Sequence, residues 1–340
     1  MEIKQEVTLP TRMLRDLKVS AIGYGSMGLS HGYGDPTPHD QAIHLIHEAY
    51  RQGCTFFDTA EVYAMGENEK IVGEALEPIR DKVVLSSKFM FFGPIEEPGR
   101  EGVLKEITKH LDASLKRLRT TWLDLYYWHR PTHASVEDVA WAMGEIIKTG
   151  KVRCWGMSQV DADQIRRAHA ITPLTAIQCE FSIMERMYEK EVIPTCKELR
   201  IGFVPFSPLA SGFLSGKYTA ETKYTGDDVR RVITRFSQEN IQKNQELLNY
   251  IKEVAASKHV TPAQISLAWI MCKGDFVVSI PGMRTDERIK ENFGASFVTL
   301  TKEEYESIEE RLKTIPISGN RTDADIAKLA DVKLGDANRE

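Results

Sequence analysis

Short runs rich in β-branched and aromatic residues alternate with longer stretches of helical periodicity over nearly the whole chain. The strand-like runs fall at Val19 to Gly23, Thr55 to Asp58, Val83 to Lys88, Leu123 to His129, Val152 to Ser158, Ala176 to Cys179, Gly202 to Phe206 and Phe276 to Ile280. The first interval predicts a helix capped by Thr37 with Pro38 at its first position and Ala42, Ile43, Ile46 and Ala49 on its apolar side. Further helices are predicted near Asn68 to Glu77, Gly99 to Leu118, Ser135 to Thr149, Asp161 to Ala170, Val192 to Leu199, Thr261 to Lys273 and Thr285 to Phe293, with an extra one from about Glu239 to Lys258. Eight strand–helix units in 340 residues predict an α/β protein built as a closed (β/α)8 TIM barrel rather than an open doubly wound sheet. The expected organisation is a single barrel domain over residues 1–315 and a C-terminal tail over 316–340 that lines the site. Long connections at Phe89 to Pro98 and Pro208 to Gln238, with the tail from Pro316, read as loops over the C-terminal face of the barrel.

Three of the strand-like runs end on groups that hold or move a proton: Asp58, Lys88 and His129. Parallel α/β proteins place their sites at the carboxyl ends of the strands, so these side chains are expected in one cluster. Tyr63 follows Asp58 by five residues, in a loop over the barrel mouth. A phenol titrates near ~10 in water, so moving its proton at neutral pH needs a cation and a hydrogen-bond partner beside it. Lys88 and His129 fit those parts, and Asp58 can pair with the lysine. Such a set suits protonation of a carbonyl oxygen while hydride arrives at carbon. Any one of these residues alone would read as a loop cap or a surface charge; four in successive units point to chemistry.

Composition narrows the partners. A formal charge of -5 and a pI near 6.1 provide no basic face for nucleic acid or anionic lipid, so neither is expected as a partner. The opening Met1-Glu2-Ile3-Lys4-Gln5-Glu6 has no apolar leader core and no apolar run is long enough to span a bilayer, which predicts a cytoplasmic protein. Five scattered cysteines without a C-x-x-C pair indicate neither disulfides nor zinc, and Pro131 keeps His129 and His133 from sharing a helix face, so no metal site is expected.

Gly23-Tyr24-Gly25-Ser26-Met27-Gly28 is a literal G-x-G-x-x-G after a strand. A Rossmann reading requires a helix from the third glycine, and Leu29-Ser30-His31-Gly32-Tyr33-Gly34-Asp35-Pro36 cannot form one. These glycines instead predict a tight loop that brings backbone close to the site.

With Asp58 and Tyr63 in a D-T-A-x-x-Y pattern, Lys88, and His129 in Leu-Tyr-Tyr-Trp-His-Arg-Pro, the chain resembles the aldo-keto reductase superfamily from about Arg15 to Ala295. The resemblance implies NADPH-dependent reduction of an aldehyde or ketone on a metal-free barrel. In that scheme Tyr63 is the general acid, Lys88 and Asp58 lower its pKa, and His129 orients the carbonyl.

It also implies a cofactor groove. Ser158, Gln159 and Gln178 fall where the family holds the nicotinamide carboxamide, with Gln159 standing where Asn is usual. Phe206, in Phe206-Ser207-Pro208-Leu209, takes the place of the stacking ring, usually Tyr, with Ser207 and Leu209 beside it. Gly282, Arg284, Arg288, Glu291 and Asn292 look like the grip on the adenosine end. There a helix N-terminus and the forked cation of Arg284 suit a phosphate and favour NADPH over NADH. The segment after the seventh strand, with Gly212, Lys217 and Asp227 to Arg231, resembles the bacterial and plant branch, in which it folds over the cofactor pyrophosphate. Lys217 is a candidate phosphate contact or a surface lysine. Tyr33, Phe89 to Phe92, Trp128, the strand-seven loop and the tail around Asn320 to Ala330 are expected as walls for an apolar or aromatic substrate. Two rivals stand beside this reading: a redox-sensing cofactor-binding subunit, as the family's potassium-channel β-subunits are, and a metal-dependent hydrolase using Asp58, His129 and His133.

Overall fold

Leu14, Val19, Phe56, Leu125, Tyr127, Ala176, Val204, Val278 and Ile280 pack into one apolar core, and all but Leu14 and Val19 alternate along their strands with residues facing the other way. This is the inside of a barrel. The computed structural model describes residues 3–320. Its strands are β1 (Thr11–Leu14), β2 (Leu17–Ser20), β3 (Tyr24–Gly25), β4 (Phe56–Asp58), β5 (Val84–Phe89), β6 (Leu123–Trp128), β7 (Val152–Ser158), β8 (Ala176–Glu180) and β9 (Gly202–Phe206). Strands β3 to β9 form a seven-stranded parallel sheet in chain order.

Residues 276–282 occupy the eighth stave and close the cylinder. The N–H groups of Val278 and Ile280 donate to Phe203 and Pro205 at 2.9 and 3.0 Å, while Gly23 and Gly25 donate to Ser279 and Pro281 at 2.8 and 3.1 Å. Only isolated bridges mark this seam. Pro205 and Pro281 have no N–H to give, so the ladder is interrupted on both sides. Gly25 allows the closure: a Cβ there would sit 2.6 Å from the carbonyl oxygen of Ile280. Gly23 and Gly25 of the G-x-G-x-x-G run therefore serve the seam, while Gly28 lies in a single 3-10 turn over Met27–Leu29.

The helices are α1 (His39–Arg51), α2 (Glu67–Leu76), α3 (Gly99–Arg117), α4 (Val136–Lys148), α5 (Ala162–Ile171), α6 (Val192–Glu198), α7 (Gln238–Lys243), α8 (Gln245–Ser257), α9 (Pro262–Met271), α10 (Asp286–Gly294) and α11 (Lys302–Leu312). A second, larger core lies between them and the outer faces of the strands. Burying each large aliphatic side chain there contributes roughly 1.5–3 kcal/mol before entropy is counted. With the closing stave, the architecture is the (β/α)8 barrel that the strand–helix alternation predicts.

Three local expectations are corrected. The predicted strand Val19 to Gly23 is divided between the end of an antiparallel β1–β2 hairpin and the approach to β3. The hairpin inserts Leu14 and Val19 into the barrel floor and is tied down by Arg12, whose guanidinium donates to the carbonyls of Met271, Gly274 and Val277. Thr37 caps nothing: Pro38 is itself the cap residue of α1, at φ -51 and ψ 140, and the Thr37 hydroxyl accepts from Arg284 instead. The helix expected over Glu239 to Lys258 is two, broken at Asn244, whose amide exchanges hydrogen bonds with the backbone of Ser318. Helix α11 follows the last predicted element. Most of the expected tail, from residue 321 onward, lies outside the described residues.

Candidate active site

The inward alternation delivers the site. Asp58 follows Phe56 on the inner face, Lys88 follows Ser86, His129 follows Leu125 and Tyr127, Ser158 follows Gly156, and Gln178 follows Ala176. At the carboxyl ends of the strands these polar side chains succeed the apolar layer.

Lys88 is fully buried at 0% exposure, and its ammonium has three acceptors: the Asp58 carboxylate, the Thr59 carbonyl at 2.7 Å and the Tyr63 hydroxyl at 3.3 Å. Asp58 completes its shell with the Ser86 hydroxyl at 2.7 Å and the Gln178 amide at 3.0 Å on Oδ2. His129 lies edge-on to the Tyr63 ring with centroids 5.9 Å apart, and His31 stacks on the same ring at 6.5 Å. The structure thus brings together all four residues expected to carry the chemistry.

Their protonation follows from their surroundings. Burial by itself would lower the Lys88 pKa, yet Asp58 and Tyr63 more than offset this and hold it above the ordinary lysine value. Burial raises the Tyr63 phenol; Lys88 opposes that rise and Asp58 adds to it. Of the two partners, only Lys88 acts in the direction the family resemblance implies, because a carboxylate disfavours a neighbouring phenolate. Burial, reinforced by Lys88 and Arg130, pushes His129 well below the usual histidine range, so its imidazole is neutral.

Among the buried polar atoms with no partner among the described residues are Nδ1 of His129, the hydroxyls of Ser158 and Ser211, and Oδ1 of Asn292. Buried polar groups are normally satisfied, so these orphans leave donors and acceptors open to a polar ligand. Phe206 ends β9 partly exposed, and beyond it Ser207, Ala210, Ser211 and Gly212 take positive φ values of 48, 50, 54 and 94, a tight turn at the rim. Leu209 is partly buried in the same turn and Lys217 is exposed. Gln159, at φ 58, donates its N–H to the Gln178 carbonyl at 3.0 Å.

Arg284 and Arg288 are engaged within the chain, and two of the expected substrate walls are buried. Arg284 spends its guanidinium on Thr37, on the Tyr33 carbonyl at 2.8 Å and on the Asp35 carbonyl at 2.6 Å, which makes it a brace for the β3–α1 loop. Arg288 is paired with Glu291. Gly282, exposed, leads from the closing stave toward α10. Phe89 and Trp128, expected as substrate walls, are fully covered and pack around Phe91 and Tyr126. Their alternation explains it: Phe89 and Trp128 sit one residue off the inward positions.

Sequence reasoning missed His31 and the latch around it. Asp227, in the loop after β9, accepts from the N–H groups of Gly32 and Gly34 at 2.8 and 3.1 Å and meets Nδ1 of His31 at 3.2 Å. Arg230 is clamped by Asp228 and lies over the rings of Tyr33, Tyr218 and Tyr224. The long loop is thereby fastened across the mouth to the β3–α1 loop. Among the described residues no group of three or more His, Cys, Asp or Glu is arranged to hold a metal, and His133 is exposed in a left-handed turn. No helix among them is long and apolar enough to cross a membrane.

A closed barrel with this proton-handling cluster at the mouth is the framework of a carbonyl oxidoreductase. The profile of the Aldo/keto reductase family matches residues 21–313, and the chain belongs to that family. It is 38% identical over 307 residues to probable aldo-keto reductase 1 of Glycine max, covering 89% of this chain and 88% of that protein. Among solved structures, the glycerol dehydrogenase of Gluconobacter oxydans superposes with a TM-score of 0.79 at 24% identity, over 92% of this chain and 98% of that one. An aldo/keto reductase of Klebsiella pneumoniae, solved with NADP and acetate, superposes at 0.70 with 25% identity, over 94% and 99%.

Proposed function

We propose that the protein reduces an aldehyde or ketone to the alcohol with NADPH as hydride donor and Tyr63 as proton donor. The observation that carries this reading is the buried Lys88 ammonium held between Asp58, Thr59 and the Tyr63 phenol. A lysine taken wholly out of water costs several kcal/mol to keep charged, on the order of the penalties known for buried ions, and a purely structural use would not need a phenol at its tip. The NADP found with the Klebsiella pneumoniae enzyme supports the choice of cofactor.

The orphaned hydroxyl of Ser158 and the carbonyl oxygen of Gln178 suit a carboxamide, the ring of Phe206 offers a stacking face, and Ser207, Leu209, Gly212 and Ser211 line the turn beside it. Asn292, with Arg288 and Lys217, suits the adenosine end. When bound, the nicotinamide supplies hydride to the carbonyl carbon. Tyr63, kept protonated by its burial, gives its proton to the carbonyl oxygen, and Lys88 stabilises the phenolate that remains. Asp58 and Thr59 hold the ammonium at that place. Neutral His129 offers an N–H to the same oxygen without competing as an acid. The substrate is read as a small dissolved carbonyl compound met in the cytoplasm.

Tyr63→Phe tests the assignment. Loss of a positioned acid costs ~10²–10⁴-fold, so aldehyde reduction should fall by that much while the NADPH dissociation constant, read by fluorescence titration, stays unchanged. Retained turnover would refute the role. Tight NADPH binding by the unaltered protein with negligible turnover on an aldehyde panel would assign the sensing role instead.

A further inference from the structure

Glu61 stands two residues before Tyr63, is 8% exposed and is engaged outside the catalytic cluster. Its Oε1 accepts from the backbone N–H of Met90 at 2.8 Å, and its Oε2 meets Nδ1 of His110, on α3, at 2.8 Å. The Glu61 N–H donates to the Lys88 carbonyl at 3.2 Å. Further along α3, Arg117 donates to Glu69 at 2.6 Å, and Glu69 accepts from the Ser87 hydroxyl at 2.5 Å. Arg117 also lies against Gly66, where a Cβ would be 2.7 Å from its Cδ. Helix α3 therefore binds both flanks of the segment that carries Tyr63 to the residues on either side of Lys88.

That segment needs holding. Ala64 and Met65, immediately after the tyrosine, are both left-handed, with φ of 49 and 53, a conformation that side chains other than glycine resist. The Tyr63–Lys88 contact is already 3.3 Å, at the long end of hydrogen bonding, so a small outward relaxation would break it. A cavity of about 370 Å3, walled by Phe91, Phe92 and Ile95, opens onto His110, so solvent protons reach the imidazole.

We propose that His110 is a positioning residue: through Glu61 it clamps the Tyr63 turn to the end of β5 and so sets the distance between the phenol and Lys88. The inference rests on the carbonyl reduction proposed above. The groups facing His110 are Glu61 from the Tyr63 segment, Glu106, Lys109 and Arg117 from α3, Glu96 from the loop after β5, and the rings of Phe91 and Phe92 at 6.2 and 6.3 Å. Burial by itself would lower the imidazole pKa; Glu61 and Glu106 more than offset this against Lys109, and the net shift is upward. His110 thus keeps its charge up to that raised value and loses it as pH rises through it, which weakens the clamp.

The test compares unaltered protein, His110→Ala and His110→Asn, whose amide nitrogen can take the place of Nδ1 without the charge. A displacement near 1 Å costs up to ~10²-fold, so His110→Ala should lower kcat roughly tenfold to a hundredfold with KM for the aldehyde and the NADPH dissociation constant unchanged. His110→Asn should restore most of kcat and lack the decline expected of the unaltered enzyme as pH rises past the histidine range. A kcat for His110→Ala equal to that of the unaltered enzyme, or an Asn variant with the same pH profile, would overturn the clamp. Fluorine NMR of protein labelled with 3-fluorotyrosine gives a second reading that needs no turnover, the Tyr63 line being assigned by its absence in Tyr63→Phe. That line should move or broaden in both His110→Ala and, on raising pH, in the unaltered protein; an unmoved line refutes the clamp. An unaltered enzyme without turnover but with a responsive Tyr63 line refutes the reaction and keeps the clamp.

Discussion

The amide nitrogen of Gln178 donates to Oδ2 of Asp58 at 3.0 Å, joining β8 across the barrel to the carboxylate on β4 that holds Lys88. One side chain therefore touches the proton-handling cluster with its nitrogen, and in the proposed reading its oxygen would take the cofactor carboxamide. A hydrogen bond to a charged group contributes ~1.5–3 kcal/mol. Gln178→Leu should accordingly lower kcat by about tenfold to a hundredfold by that measure and also weaken NADPH binding. Steady-state kinetics with a fluorescence titration check the pairing of the two effects; a change in binding alone would show that the Asp58 contact does not matter to the chemistry.

Asp58 and Lys88 are 2% and 0% exposed, so their ion pair lies beyond the reach of solvent screening. Removing one partner of a buried pair costs ~3–5 kcal/mol because the other is left charged and alone. Asp58→Asn should reduce stability toward denaturant by that order and lower the Lys88 pKa, since only Tyr63 then opposes burial. Paired replacement with Lys88→Met should recover part of the stability and none of the activity. Chemical denaturation of the single and double variants measures both.

His129 gives the site an acid-side signature. Its folded pKa lies well below the ordinary value while the unfolded chain titrates near ~6.5. The unfolded state therefore takes up a proton first, and the stability contributed by neutral His129 is present above pH ~6.5 and is lost as pH falls toward the depressed value. His129→Gln should flatten the acid limb of melting temperature against pH by up to one proton relative to the unaltered protein. Equal slopes for the two proteins would mean that His129 titrates normally.

Much of this was readable from the residues because inward-facing polar positions recur at strand ends. Period-two alternation puts Asp58, Lys88, His129, Ser158 and Gln178 on the same face as the apolar barrel core, and Val152 to Ser158 and Gly202 to Phe206 fold as strands over their expected spans. What failed did so where tertiary contacts outweigh local pattern. The β1–β2 hairpin is fixed by Arg12 reaching carbonyls some 260 residues away along the chain, a partnership no window of sequence contains. The tie from Arg284 to the carbonyls of Tyr33 and Asp35 was likewise invisible, because it joins residues some 250 positions apart. Phe89 and Trp128 looked like site walls from their nearness to Lys88 and His129, although adjacent residues on a strand face opposite sides.

The latch made by Asp227 was legible in neither loop alone, and in the proposed reading it would govern how the cofactor enters and leaves. Its carboxylate takes two backbone N–H groups and His31, while Val229 donates to the Gly32 carbonyl at 3.0 Å, so one turn of the long loop is sewn to the loop before α1. A cofactor lying beneath that crossing cannot depart until the crossing opens. Asp227→Ala removes three of the four links, each hydrogen bond to the charged carboxylate being worth ~1.5–3 kcal/mol at most and less where solvent reaches it. NADPH dissociation, followed by stopped-flow fluorescence, should accelerate by about tenfold or more on that scale, whereas the proton transfer at Tyr63 should not change. If hydride transfer limits turnover, kcat will stay constant while the NADPH dissociation constant rises; if release limits it, kcat will increase. An unchanged dissociation rate would mean that the crossing does not cover the cofactor.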